Sequence, residues 1–131
     1  MPTVFGVILG TGVGGGLVVN GHLLQGPNAI CGEWGHNPLP WRPAQDGEPI
    51  SCYCGKLDCI ETFVSGPGWA RRSNLGLSAA ELATAAATGK PEAMQALNHY
   101  CEQLARGLAA VVNLLDPHVI VLGGGLSNMH E

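Results

Sequence analysis

The sequence is short of charge. Asp, Glu, Lys and Arg make up 12% of the 131 residues, and the net charge is −4 at pH 7. A protein that binds a nucleic-acid backbone needs an excess of positive charge, so no nucleic-acid partner is expected. No run of about 18 apolar residues occurs, so no membrane-spanning helix is predicted. The first residues lack the basic stretch and apolar core of a secretion signal. There is no internal repeat and no low-complexity tract. Aromatic residues are scarce at 5%, and Trp34, Trp41 and Trp69 read as packing residues. The five cysteines are an odd number, and three crowd into residues 52–59. That pattern argues against a disulfide framework and for thiolate ligands in a reducing cytoplasm. Cys31 carries no signal, and Cys101 is expected in the core.

What is present is enough chain for one core and twenty glycines. Val4 to Gly10 is a short β-branched run, read as a buried strand. Thr11 to Gly16 reads as a glycine loop, followed by a strand at Leu17-Val18-Val19. Asn20-Gly21 predicts a hairpin turn, because both residues tolerate positive φ; a short strand at Leu23-Leu24 follows. Residues 25–58 hold no periodic segment, and Pro27, Pro38, Pro40, Pro43 and Pro49 break any helix. So long a loop needs something to pin it. Ile60 to Val64 reads as a short helix, and Ser65-Gly66-Pro67-Gly68 as a turn. Ser78 and Glu81 form a predicted capping box for a helix reaching Ala87. Pro91 opens a helix of about 24 residues. Its predicted buried face runs through Leu97, Tyr100, Cys101, Leu104, Ala105, Leu108, Val111, Val112 and Leu115. Asp116-Pro117 ends it. Val119 to Leu122 reads as a second buried strand running into Gly123-Gly124-Gly125. The order predicts an α/β domain with a mixed sheet.

His36, Cys52, Cys54 and Cys59 supply the four soft donors of a closed tetrahedral zinc site. A zinc ion there would pin the loop. Glu33 lies three residues before His36, and Glu61 two after Cys59. Carboxylates at those places can each accept sugar hydroxyls, or be solvated surface acids; both readings stay open. His36 can bind metal through one ring nitrogen and hydrogen-bond through the other. The loop Gly10-Thr11-Gly12-Val13-Gly14-Gly15-Gly16 lies between strands and lacks a P-loop Lys, so it is neither a dinucleotide fingerprint nor a P-loop. Its N–H groups and the Thr11 hydroxyl can face a phosphate, or the turn is a plain hairpin. Gly123 and Gly124 let the backbone approach a flat ligand or a neighbouring element. His22, His99, His118 and His130 have no partner cluster.

These residues resemble the ROK family of bacterial sugar kinases and sugar-responsive repressors. Leu9 to Leu17 is similar to its second phosphate loop and Gly32-Glu33-Trp34-Gly35-His36 to its Gly-Glu-x-Gly-His segment. Cys52-x-Cys54-Gly55-x3-Cys59-x-Glu61 is similar to its zinc motif, and Val121 to Gly125 to its adenosine-side glycines. The resemblance implies part of an actin- and hexokinase-like (ribonuclease H-like) lobe. It implies hexose contacts from Glu33, His36 and Glu61. It implies ATP contacts from Gly10, Thr11, Gly12, Gly14, Gly123 and Gly124, and ATP with Mg2+ in the complete enzyme. The motif details resemble fructokinases and mannokinases first, with N-acetylglucosamine kinase or a repressor's effector domain as alternatives. The family's Asp-x-Gly-Gly-Thr loop and Asn-Asp catalytic pair do not occur. Residues 1–131 are therefore expected to be a C-terminal-lobe portion without the N-terminal lobe, inactive alone. No catalytic residue is assigned, and a homo-oligomer is expected.

Overall fold

The computed structural model describes residues 1–41 and 46–128; Pro43 and His130 lie outside them. The chain opens with strands β1 (Val4–Leu9), β2 (Val13–Val19) and β3 (His22–Leu23). Along β1, Phe5, Val7 and Leu9 turn into the core while Ile8 is 58% exposed, the two-residue alternation of a strand with one face covered. β1 and β2 pair antiparallel, with Leu9 opposite Val13 and Gly6 opposite Gly16. Asn20 and Gly21 have φ of 51° and 79° and close the β2–β3 hairpin as predicted. Gly14, Gly15 and Gly16 are the correction here. They are paired β2 residues rather than loop, because each faces a β1 residue across the ladder.

Four helices follow: α1 (Glu61–Val64), α2 (Gly66–Ser73), α3 (Ala79–Ala87) and α4 (Pro91–Leu115). The predicted turn at Ser65 to Gly68 is the start of α2. The Ser65 hydroxyl accepts from the Gly68 N–H at 3.0 Å, and proline sits in the first turn. Both are helix-start signals. The capping box forms: Ser78 Oγ accepts from the Glu81 N–H, and the Glu81 carboxylate from the Ser78 N–H. α4 starts at Pro91 and ends on Asp116 with φ of 43°. Its buried residues are Ala93, Tyr100, Gln103, Gly107 and Val111. Cys101 is exposed, as are Val112 and Leu115. The face differs from the predicted one because two non-apolar residues are inside: Gln103 has a buried partner, and Gly107 makes room for Trp34 and Ile60.

Strand β4 (Val119–Gly123) returns parallel to β1 and completes a mixed sheet of order β3-β2-β1-β4. It is not the buried strand expected. Val119, Val121 and Leu122 are about half exposed, because β4 is an edge and only one sheet face carries the packed core. That core joins Phe5, Val7 and Leu9 to Trp34, Phe63 and Trp69. Trp41 is 67% exposed and is no packing residue. Among the described residues, no helix is long and apolar enough to cross a membrane.

The long loop has anchors that its composition did not announce. The Asp46 side chain is fully buried. It accepts from Gln103 Nε2 at 3.1 Å, contacts His99 Nε2 at 2.9 Å, and pairs with Arg106 at 2.8 Å. His99 thus belongs to a cluster after all. Arg72 lies over the Phe63 ring and donates to Asp58, to the Thr62 hydroxyl and to the carbonyls of Thr62 and Glu48. Burial alone would raise the Asp46 carboxyl; the hydrogen bonds from Gln103, Arg106 and His99 outweigh it and hold the group below its ordinary value.

A depressed folded pKa stabilises the fold above the unfolded value and ceases to do so as pH falls through the folded one. Asp46→Asn should therefore cost about 3 kcal/mol at neutral pH, the scale of breaking a buried pair. It should also flatten the acid limb of stability below about pH 4. Denaturant melts across that pH range check both, and an unchanged acid limb would refute the role.

Candidate functional site

Two glycines bring the first donor into place. A Cβ at Gly35 would collide with the Val13 carbonyl, and one at Gly32 (φ 93°) with the Gly15 carbonyl. Without side chains there, residues 32–36 lie directly on β2. Trp34 completes the seat: its indole N–H donates to the Gly14 carbonyl at 2.8 Å. A short 3₁₀ turn, Trp34–His36, then holds His36 beside β2, with Glu33 exposed at its start.

The remaining donors arrive by local pairing. Ile60 N–H donates to the Asn37 carbonyl and Leu39 N–H to the Asp58 carbonyl. Pro38 bridges Cys59, and Ser51 bridges Leu57. Between them, Cys52 N–H bonds the Lys56 carbonyl around Gly55, whose φ is 96°. The His36 ring nitrogen and the sulfurs of Cys52, Cys54 and Cys59 come within 4.8 Å of one another. His36 Nδ1 lies 3.4 Å from Cys52 Sγ, and Cys54 Sγ 3.5 Å from Cys59 Sγ. All four predicted donors meet. The spacing approaches the edge of a tetrahedron with metal–sulfur bonds of about 2.3 Å. The Lys56 backbone N–H lowers the Cys54 thiol to about 7. Burial, then the neighbouring cysteines, push Cys59 up to about 12. Three thiols this close resist joint ionisation, and a soft divalent cation is what relieves that.

With Nδ1 turned to the sulfurs, Nε2 faces outward. It lies 3.1 Å from the Tyr53 hydroxyl, and the two rings meet edge to face at 5.2 Å. The charge of Glu61, then burial and the charges of Cys52 and Glu33, raise the Tyr53 phenol. His36 touches this hydroxyl, and Glu61 and Glu33 act on it through their charge. Sequence reasoning missed Tyr53, although its position between two donor cysteines was a signal: whatever fixes them fixes it. Tyr53, Glu61, Thr11, Ser51 and Arg71 line a recess of about 240 Å³.

The glycine turn is closed at both ends. Gly10 N–H bonds the Gly12 carbonyl at 3.0 Å, and Val13 N–H bonds Glu61 Oε1 at 3.0 Å. Thr11 and Gly12 remain to supply N–H groups to a ligand. Gly14 lies in β2 instead. At the same end of the sheet, Gly124 (φ 88°) uses its freedom against β1, since a Cβ there would collide with the backbone of Leu9, which leads into the turn. Gly123 ends β4, where its Cβ would have ordinary contact with Val7.

The ROK family profile matches residues 1–131. The N-acetyl-D-glucosamine kinase of Yersinia enterocolitica is 42% identical over 138 residues, covering 99% of this chain and 46% of that one. The solved ROK family glucokinase from Streptomyces griseus, in complex with glucose and AMPPNP, superposes with a TM-score of 0.85. It is 26% identical over 98% of this chain and 46% of its own. The ROK hexokinase from Thermus thermophilus gives a TM-score of 0.80 at 30% identity, over 96% of this chain and 42% of its own. The chain spans a little under half the length of the curated relatives it matches.

The seat of Trp34 is directly testable. A Cβ at Gly15 would stand 2.9 Å from Trp34 Cδ1 and 3.0 Å from Phe5 Cζ, whereas one at Gly14 meets nothing within 4 Å. Gly15→Ala should cost about 2 kcal/mol, as overpacking does, and shift tryptophan emission. Gly14→Ala should stay within about 0.5 kcal/mol. Equal melting curves for the two variants would show that the indole has room to move.

Proposed function

The chain belongs to the ROK family, and on that premise we propose that it carries the hexose-binding and phosphate-facing groups of an ATP-dependent sugar kinase. One observation supports this most. His36 Nε2 lies 3.1 Å from the Tyr53 hydroxyl, and Tyr53 and Glu61 line one recess with Thr11 of the glycine turn. An aromatic hydroxyl there stands in for the kind of group a hexose presents.

In this reading Glu33 and Glu61 accept hydrogen bonds from sugar hydroxyls and carry no proton. His36 places Nδ1 on the metal, which fixes the proton on Nε2 as a donor. The donor set of one imidazole and three thiols suits zinc, with four protein ligands and no open position, hence a structural ion. The N–H groups of Thr11 and Gly12 and the Thr11 hydroxyl face a phosphate. ATP with Mg2+ supplies the phosphoryl group when bound. What these residues contribute is positioning and charge stabilisation, which dominate phosphoryl transfer. Three free thiols suit a reducing cytoplasm.

For the hexose, the relatives' names favour N-acetyl-D-glucosamine over the fructose and mannose first expected. The three site residues address hydroxyls common to all of these sugars. Their chemistry therefore does not support one ketose or aldose over another.

The test is a coupled ADP-release assay on the protein that carries this chain, with N-acetylglucosamine, fructose, mannose and glucose. The highest kcat/KM is expected for N-acetylglucosamine. Glu61→Gln should raise the sugar KM about tenfold or more with a smaller change in kcat, the sign of lost ground-state binding. Unchanged KM with lost kcat would contradict the hydroxyl-binding role. Sugar binding without turnover of any sugar would move the reading to a sugar-responsive effector domain. Elemental analysis should find about one zinc per chain, falling in Cys59→Ser.

A further inference from the structure

Glu61 touches two pieces of the molecule at once. It is the first residue of α1, two beyond Cys59, and its backbone is tied to the donor cluster. Thr62 N–H bonds the Cys59 carbonyl at 2.8 Å, and Cys59 itself bridges Pro38. Its side chain reaches the glycine turn, where Oε1 accepts from the Val13 N–H at 3.0 Å across 48 residues of sequence. The same oxygen occupies the space beside Gly12. A Cβ added there would lie 2.9 Å from Oε1 and 3.5 Å from the carboxyl carbon. The turn is held a second time, by Gly66 N–H on the Gly10 carbonyl at 2.7 Å. One short segment, residues 61–66, thus grips the turn between β1 and β2 at both ends.

We propose that Glu61 is a positioning residue for the glycine turn. Oε1 holds the backbone at Gly12–Val13, and Glu61 also lines the recess bounded by Thr11, Ser51 and Tyr53, where Oε2 is the oxygen left for a ligand. A turn of three residues with two glycines has many alternative conformations to lose. A hydrogen bond to an ionised acceptor is one of the stronger ways to select one of them. Gly12 is glycine because the carboxylate needs its space: its backbone is not left-handed, so an alanine there would be strained by the contact alone. A consequence rests on the hexose reading given above. A hydroxyl bound at Oε2 stiffens the carboxylate, and through it the phosphate-facing turn; by linkage, a ligand on the turn strengthens hydroxyl binding equally.

The positioning role is tested without sugar or nucleotide, so its failure is separate from failure of the kinase reading. The measurement is amide hydrogen exchange at Val13, referenced to Val7 in the centre of β1. Glu61→Ala should speed exchange at Val13 about tenfold relative to Val7, one lost hydrogen bond to a charged group. Glu61→Gln keeps a carbonyl acceptor and should change that ratio by no more than about threefold. Gly12→Ala should also loosen Val13, and less so in the Glu61→Ala background, where the carboxylate it strikes is gone. No change at Val13 in Glu61→Ala overturns the proposal. So does equal acceleration at Val13 and Val7, which would make Glu61 a general stabiliser of the sheet. Should Glu61→Ala fail to fold, Gly12→Ala and Glu61→Gln decide alone: Val13 exchange unmoved by Gly12→Ala, or as fast in Glu61→Gln as in Gly12→Ala, overturns it.

Discussion

The indole of Trp34 packs against β2 at Gly15, where a side chain would collide with it, and its N–H is satisfied by the Gly14 carbonyl. A tryptophan buried this way contributes a large apolar area and one hydrogen bond at once. Its neighbours inherit the position. Glu33 stands exposed on one side, His36 on the other, and Gly35 lets the turn touch Val13. From His36 the chain runs antiparallel to residues 58–60, which brings the cysteines in. Gly15 is thus the docking point on β2, and its lack of a side chain is what permits the approach.

The loop that carries the cysteines is held by polar groups as well as by its donor cluster. Asp46 with Arg106, His99 and Gln103, and Arg72 over Phe63, tie it to α4 and α2. In small zinc-binding peptides the ion provides on the order of 10 kcal/mol that is also the folding energy. Here ion pairs and hydrogen bonds share that task. A metal held by the cluster would then have a narrower part: it would fix four donor atoms and, through the backbone of Cys59, the start of α1. Tyr53 and Glu61 border the same recess from either side of that cluster.

Family membership follows from sequence and fold together, while the choice of hexose does not follow from the three residues proposed to address it. Hydroxyl acceptors in the role proposed for Glu33 and Glu61 would read features that glucose, mannose and N-acetylglucosamine share. Discrimination of an N-acetyl group needs a pocket of matching shape and an amide partner. The chain matches a little under half of its relatives' length, and the names of those relatives carry the substrate reading.

The sequence by itself determined what local chemistry decides. Val4 to Leu9 is a β-branched apolar run that makes a strand, Asn20-Gly21 turns the hairpin, and Ser78 with Glu81 caps α3. Pro91 and Asp116 bound α4, and the four soft donors are legible from residue type and spacing. Each signal acts within a few residues, so no knowledge of the fold is needed to read it. Tertiary structure decided the rest. It made the glycine run a strand, because β1 pairs with it. It put Gln103 and Gly107 inside α4's buried face, because Asp46 and Trp34 wait there. It turned Ser65 from a turn residue into a cap and left β4 on an exposed edge. It joined Tyr53 to His36 and Glu61 to Val13. The contacts of Gln103, Gly107, Tyr53 and Glu61 link residues 17 to 73 positions apart. Local periodicity holds no record of partners so distant, and only the folded chain brings them within reach of a hydrogen bond.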